Sequence, residues 1–592
     1  MWSLINDLSK NRARESSAPS KIVTPSGVLT NQTDICECFN DFFSNIGSVL
    51  ASQIPKQYHN NLTYTKGTQA TETLVTLSQI KPCTIDEISK IIDNLKLNIS
   101  SGLDGINTKS IKCVKNLILS ELTNCINKNL ESGTFPDNLK IAKVSPIYKS
   151  GSKSDPGNYR PISVLPVLSK IFERVLYNRL DEHLRAQNFL FKKQYGFRPK
   201  SNTLSATIDL ITKIKLNIDK KQIAMGIFID LKKAFDTISH KLFLSKLNDI
   251  GVTGSAFDIF KSYLTNRRQV VKINENQSSP KNVNFGIPQG SILGPLLFLI
   301  YINNIHRIGL KGDISLYADD TALFYFGHSV DAVMCDAQND LQLLNMWFQC
   351  NLLTINIAKT NYIIFAAKNK NILHNSQLTI NNQPIKKVDH EKYLGLILDS
   401  HLNWKSHLER VKSKLNSLTG ALRGAVRCLP RQVRYNIYNA LIKPHLDYLI
   451  EVWGTAAKTN IETLQISQNK LIKTLFHYDY STPTQKIYRE TKLMNISQTY
   501  LYNNCILIRK ILNKNIHTQI HFIKKHQIHK IRLRNTNDIQ LYSPRTNYGK
   551  KNVMYEGAAL YNKLPNNIKN AKTMSLFKKY LKLYIFNKPS AP

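Results

Sequence analysis

At 592 residues the chain can bury several hydrophobic cores, and about three or four structural units are expected. Lys and Arg outnumber Asp and Glu by 80 to 41, and the resulting charge of +39 is spread along the chain, which favours a polyanion such as nucleic acid over an anionic membrane. Nine cysteines with no C-x-x-C spacing and no zinc-knuckle histidines point away from a disulfide framework and toward reduced, buried thiols. The start, Met1-Trp2-Ser3-Leu4-Ile5-Asn6-Asp7, lacks the basic and apolar blocks of a leader, and the longest apolar run, around 295–302, is too short to cross a bilayer. An intracellular, soluble protein without a membrane partner is expected.

In chain order, residues 1–95 have a polar start and one helical patch over 35–50 carrying Phe39, Phe42, Phe43 and Ile46, which reads as a tethered extension or small lobe. Thr84 stands three residues before Glu87, and Ile85, Ile88, Ile91, Ile92 and Leu95 follow at helical spacing, so a capped helix is predicted. The Ser/Gly/Asp stretch 98–105 reads as a loop into an amphipathic helix over 108–132, closed by Gly133 and Pro136. Residues 141–149 are strand-like. A basic turn, Ser150-Gly151-Ser152-Lys153, then precedes Asn158-Tyr159-Arg160-Pro161-Ile162-Ser163. A lysine and an arginine near such a turn suit a triphosphate, although read by themselves they are more simply solvated loop charges.

A helix over 170–186 and a rigid aromatic-basic loop, Gln194-Tyr195-Gly196-Phe197-Arg198-Pro199, lead to the apolar run 224–229, a buried strand that ends in Asp230 and turns toward helix. As a lone strand-end acid, Asp230 would more often cap a helix. Residues 286–295 hold three glycines and two prolines, a loop whose backbone can approach a ligand closely, ahead of an apolar helix over 296–303.

Asp319 and Asp320 stand between two runs of β-formers, 314–318 and 321–326, and read as the tip of a tight hairpin. Neighbouring ionised carboxylates in a half-buried setting repel and are costly to desolvate, so such a pair persists when cations neutralise it, and its hard oxygens suit Mg²⁺. An ordinary turn is the plain alternative. Asp230 weighs against it as a third carboxylate on another predicted strand, 89 residues earlier, which leaves room for elements that bring the two strands side by side. A helix over 333–349 and a strand over 393–399 follow, and from 402 the apolar spacing becomes helical and the chain basic. Residues 501–550 hold ten Lys/Arg and one acid, Asp538, interleaved with Tyr502, Phe522, Tyr542 and Tyr548, as expected of a surface that tracks a nucleic-acid backbone. His517, His521, His526 and His529 lack Cys or carboxylate partners between them, which argues against a metal site there.

Three strings occur in the order of the core motifs of reverse transcriptases: Phe228-Ile229-Asp230-Leu231-Lys232-Lys233-Ala234-Phe235-Asp236, Gly286-Ile287-Pro288-Gln289-Gly290-Ser291 and Tyr317-Ala318-Asp319-Asp320. The flanking strings, from Asn158-Tyr159-Arg160 and Gln194-Tyr195-Gly196-Phe197-Arg198 to Asn356 with Lys359-Thr360 and Tyr393-Leu394-Gly395, resemble the non-LTR retrotransposon branch, jockey-like enzymes most closely. Glu451-Val452-Trp453-Gly454 and Asn562-Lys563-Leu564-Pro565 are similar to strings downstream of the polymerase in such elements. The resemblance is strong over 102–399 and looser elsewhere. No endonuclease array precedes it, and no Cys-His knuckle or RNase H acids follow.

The resemblance implies an α+β, right-hand polymerase: an N-terminal extension over 1–95, fingers and an antiparallel palm over 96–400 with a core at 141–398, a helical thumb over 401–480, and a helical, basic C-terminal region over 481–592. It implies an RNA-directed DNA polymerase that copies element RNA into DNA in the nucleus or cytoplasm, using an RNA template, a DNA primer or target and deoxynucleoside triphosphates. An endonuclease or nucleic-acid-binding partner would act in trans. Asp230 and Asp319 would hold two Mg²⁺ ions with Asp320 in support. Lys149 and Arg160 match the residues that grip the triphosphate, with Lys153 as a substitute for the lysine, and Gln289 and Gly290 match the loop packed on the new base pair. Phe235 matches an aromatic that excludes the 2′-hydroxyl, and Lys359 stands where a proton donor to pyrophosphate is placed. A catalytically inactive relic or nucleic-acid-binding derivative would share the fold, and the intact acids argue against it. An intron-encoded maturase would resemble other finger and thumb strings.

Overall fold

Seven apolar residues in a row, Ile223–Ile229, are buried at every position, as a strand must be when both sheet faces are covered. Its side chains divide with period two. Ile223, Met225, Ile227 and Ile229 join one large core, whereas Ala224 and Phe228 join the other. Gly226 falls on the second face, where an added Cβ would lie 2.8 Å from the Phe324 ring. This strand is the middle of a five-stranded sheet in the order Lys386–Lys387, Asn361–Phe365, Ile223–Ile229, Asp320–Gly327 and Asp313–Tyr317. All neighbours are antiparallel except the outermost pair, Lys386–Lys387 with Asn361–Phe365. The computed structural model describes residues 19–58, 75–97, 99–367, 376–426, 429–528 and 537–587; the first eighteen residues, Asn98, Cys428 and His529 lie outside them.

A second sheet runs Tyr159–Val164, Ile141–Tyr148, Arg268–Ile273, Asn276–Gln277, with Lys281–Asn282 also paired to Arg268–Ile273. Helix Gln32–Ser52 covers it, placing Phe39 4.9 Å from the Tyr159 ring in a core shared with Val144, Val271 and Ile273. Asn40 is fully buried under this helix, donating to the carbonyls of Gln269 and Ser279 and to Ser278 Oγ while accepting from Gln269 Nε2. The segment expected to be tethered is therefore stitched into the sheet, because a buried amide must satisfy its bonds.

On the other side of the main sheet, helices Lys405–Ala425, Lys458–Phe476, Ile496–Leu512 and Met574–Asn587 contribute to the core that holds Phe228, Phe324 and Phe365. That core draws residues from both sides of position 480, among them Leu475 and Ile487. Helix Thr203–Asp219 joins it to the sheet and ends on a buried carboxylate. Asp219 accepts from Tyr542 Oη, the Arg545 and Thr546 amides and Thr546 Oγ1, and Gly549 approaches so closely that a Cβ would lie 2.6 Å from the carboxylate. Burial raises the Asp219 carboxyl, yet these donors outweigh it and hold it below the usual range. Replacing Asp219 by Ala should release residues 541–549 at a cost of about 3 kcal/mol or more, since bonds to a charged acceptor are each worth about 1.5–3 kcal/mol. Proteolysis should then cut that segment first, and a variant as resistant as the parent would remove this docking role.

Several local expectations need correction. The helix expected over 108–132 is two, Thr108–Cys113 and Lys115–Ser132, broken at Val114. The strand expected over 393–399 is a hairpin, His390–Tyr393 with Leu396–Asp399, because Leu394 and Gly395 both take left-handed backbone at φ 45° and 83°. The described cysteines are free thiols, but Cys113, Cys125 and Cys335 are exposed on helix surfaces instead of buried. Among the described residues no helix is long and apolar enough to cross a membrane.

Candidate active site

Asp230 follows the last residue of the central strand, and Ile229 pairs with Thr321 on its neighbour. Continuing that register by one residue sets Asp320 opposite Asp230, so the three acids gather at one end of the sheet. Asp320 itself pairs with Tyr317, leaving Ala318 and Asp319 as the turn. Ala318 is left-handed at φ 56°, and Gln194 secures it: its Oε1 accepts from the Ala318 amide at 3.0 Å and from the Gly196 amide at 2.8 Å. At Gly196 a Cβ would lie 2.3 Å from the Ala318 nitrogen, so this approach requires glycine. The Tyr195 amide donates to the Leu316 carbonyl, and the Tyr195 hydroxyl to Asp209, which also accepts from Thr518 and the Gln519 amide. The C-terminal region thus reaches the support of the acidic turn. His517, one of the four spaced histidines, bonds the Lys192 carbonyl there.

Asn356 fixes the other acid. Its amide nitrogen donates to the Asp230 carbonyl at 2.8 Å and its side-chain amide to Asp230 Oδ2 at 3.0 Å. Burial raises the Asp319 carboxyl, and the Asp230 charge adds to this while Arg160 and Lys149 oppose it. Burial followed by the charges of Asp319 and Asp230 pushes Asp320 up to about 6. Bare, these carboxylates repel, and hard oxygens in such a setting fit a divalent cation such as Mg²⁺. Among the described residues, however, no three His, Cys, Asp or Glu side chains are spaced around one point as ligands of a single ion.

Lys149 and Arg160 lie on the hairpin of Ile141–Tyr148 with Tyr159–Val164: Ile147 pairs with Arg160, and the Lys149 amide donates to the Asn158 carbonyl. Both side chains are exposed, with charges felt at Asp319. Lys233, which the sequence did not single out, donates to the Gly157 and Tyr159 carbonyls at 2.9 Å and so ties this hairpin to the turn after Asp230. Phe235 is half-buried, stacked on Phe298 at 4.5 Å and 17°. Lys359 is exposed, and among the described residues no hydrogen bond or ion pair joins it to the three acids.

The Gly-rich loop is knit to the same hairpin. The Ser163 amide donates to the Gln289 carbonyl at 2.8 Å, and a Cβ at Gly290, whose φ is 132°, would stand 2.3 Å from the Ser163 oxygen. The missing side chain at Gly290 is thus demanded by the chain's own backbone. Gln289 Nε2 donates to Asp236 Oδ1 at 2.8 Å. Buried Glu173 holds the end of this loop, accepting from the Ile292 amide and Tyr263 hydroxyl. Its signal in the sequence was a charged residue beside Phe172 and Leu176 on an apolar helix face.

Burial pushes the Asp236 carboxyl up to about 6, against the Gln289 bond and the Lys233 charge. A folded pKa raised above the unfolded value means that the folded state holds the proton more tightly, so this contribution to stability is present below pH 4 and is lost as the pH rises to about 6. Asp236→Asn should therefore gain on the parent by up to about 3 kcal/mol between pH 4 and 7, read from paired thermal melts. A difference that does not vary with pH would refute this.

An antiparallel sheet with three acids at one end, within reach of the charges on a basic hairpin, agrees with the family that the sequence motifs resemble. Residues 147–398 match the family model described as reverse transcriptase (RNA-dependent DNA polymerase), and the chain carries a domain of that family. It is similar to the probable RNA-directed DNA polymerase from transposon BS of Drosophila melanogaster, 27% identical over 84% of this chain and 55% of that protein. It is also similar to the RNA-directed DNA polymerase from mobile element jockey of the same species, 28% identical over 71% of this chain and 47% of that protein. The chain spans about half the length of the curated relatives it matches.

Proposed function

We propose that this chain is the RNA-directed DNA polymerase of a jockey-like, non-LTR retrotransposon, copying element RNA into DNA from a DNA primer or target, in the nucleus or cytoplasm. The observation that carries this reading is the meeting of Asp230 with Asp319 and Asp320 at one sheet end, within reach of the charges of Lys149 and Arg160. The main sheet then serves as palm, the hairpin sheet as fingers, the helices over 401–480 as thumb, and 481–592 as a basic buttress behind the palm. Partner nuclease activity would come in trans.

Asp230 and Asp319 would hold Mg²⁺ with Asp320 in support, and the metal would supply Lewis acidity and charge neutralisation at the reacting phosphate. Asn356 aims Asp230, and the Gln194 carbonyl oxygen keeps Asp319 at the tip of its turn. Arg160, as a planar fork, and Lys149, as a point charge, bind the triphosphate of the incoming nucleotide. The primer 3′-hydroxyl loses its proton to solvent as its oxygen bonds to the α-phosphorus, the bond from that phosphorus to the bridging oxygen breaks, and the departing pyrophosphate would take a proton from Lys359. Gln289 and Gly290 form the floor under the new base pair. The test is extension of a DNA primer on an RNA template: synthesis with Mg²⁺ and none with EDTA is expected, and a chain that binds the duplex without extending it would favour an inactive derivative.

Phe235 would exclude ribonucleotides by collision with the 2′-hydroxyl. Phe235→Val should raise ribonucleotide use relative to deoxynucleotide use by about tenfold or more, with a modest loss of the latter. Because the ring also stacks on Phe298, the ratio of the two kcat/KM values must be set beside a thermal melt. Parallel loss of both activities with a lowered Tm would assign Phe235 to the core instead.

A further inference from the structure

Phe197 is 49% exposed although it belongs to the loop that braces the acidic turn. Its backbone is left-handed at φ 55°, a conformation that a bulky L-residue adopts only when its surroundings impose it. Those surroundings hold the chain on both sides. Before it, Gly196 abuts Ala318 and its amide donates to Gln194 Oε1. After it, Arg198 Nη1 donates to the Phe191 carbonyl at 2.6 Å, and the Ser201 amide donates to the Arg198 carbonyl. The ring is therefore aimed by a fixed backbone.

It meets the residue proposed above to line the nucleotide site. The Phe197 ring meets Phe235 edge-on, 6.0 Å between centroids at 90°, and Phe235 stacks in turn on Phe298. Three rings thus run from the apolar core at Phe298 to the surface at Phe197. Bracing of the turn rests on Gln194, the main chain and Gly196, none of which needs an aromatic at 197, and a packing role would bury the ring. We propose that Phe197 is a substrate-contacting residue: its exposed ring packs against the deoxyribose and base of the incoming nucleoside triphosphate, continuing the wall that Phe235 begins. This deepens the polymerase reading and rests on it. A ring offers no hydrogen-bond pattern to read, so the contact should serve all four bases.

The experiment is steady-state extension of oligo(dT) on poly(rA) by the full chain, with primer–template Kd and Tm measured in parallel. Phe197→Ala should raise the KM for dTTP about tenfold, the scale of losing one aromatic contact with a base, while kcat, Kd and Tm stay near the parent values and Phe197→Tyr retains the parent KM. An unchanged KM overturns the proposal, as does a KM that rises only together with a weaker primer–template Kd or a lowered Tm. Should Phe197→Ala fail to fold, Phe197→Trp provides a direct readout. Its added emission should change when dTTP joins the primer–template complex in Ca²⁺, and no change beyond that of the parent chain overturns the proposal. Absence of extension by the parent chain overturns both this inference and the polymerase reading, whereas parental extension with an unchanged KM in Phe197→Ala overturns this one alone.

Discussion

Replacing Asp319 by Ala should abolish Mg²⁺-dependent DNA synthesis on an RNA template, with a loss of at least about a thousandfold, or roughly 4 kcal/mol of transition-state stabilisation. Asp230→Ala should do the same. Stability should move the other way or not at all. Burial and the Asp319 and Asp230 charges push Asp320 up to about 6, so removing Asp319 relieves repulsion at neutral pH. The expected signature is thus an inactive protein whose Tm is at least that of the parent. Wild-type-like extension by either variant would sink the assignment, and a collapse of Tm would show that the loss came from unfolding.

Affinity for an RNA/DNA duplex should fall about 10³- to 10⁵-fold between 50 and 200 mM salt if six to ten phosphates are neutralised, as befits a chain of charge +39. Sequence should matter little. Within 501–550 the basic residues are not equivalent: Arg509 is turned inward, donating to the Lys569 and Ala571 carbonyls, whereas Lys514, Arg545 and Lys550 are exposed. Reversing those three to Glu should lower the slope of log K against log[salt] by up to about 3 if each meets a phosphate. An unchanged slope would move the duplex to another face, and a flat parental curve would contradict phosphate-dominated binding.

The acids, their order and their strands were legible in the sequence because each lies in a short local pattern: an apolar run ending in Asp230, and Asp319-Asp320 between β-formers. The apolar strand at 223–229 and the helices over 35–50, 170–186 and 333–349 were legible for the same reason, since periodicity is written along the chain. The hairpin at Leu394-Gly395 and the break at Val114 were not, because each is a change in a few backbone angles within an apolar pattern that continues across it.

What tertiary structure alone decided was which groups support the acids and the loops around them. Gln194, Asn356, Lys233 and Glu173 act across 124, 126, 74 and 119 residues of chain, and no window of sequence contains both ends of such a bond. Gly290 is a glycine because of the Ser163 oxygen, and Asp219 is a buried acid because residues 542–546 return to it. Residue type and spacing set which chemistry the chain can offer. Burial, with its demand that every polar group find a partner, sets where that chemistry is held, and this depends on the whole fold.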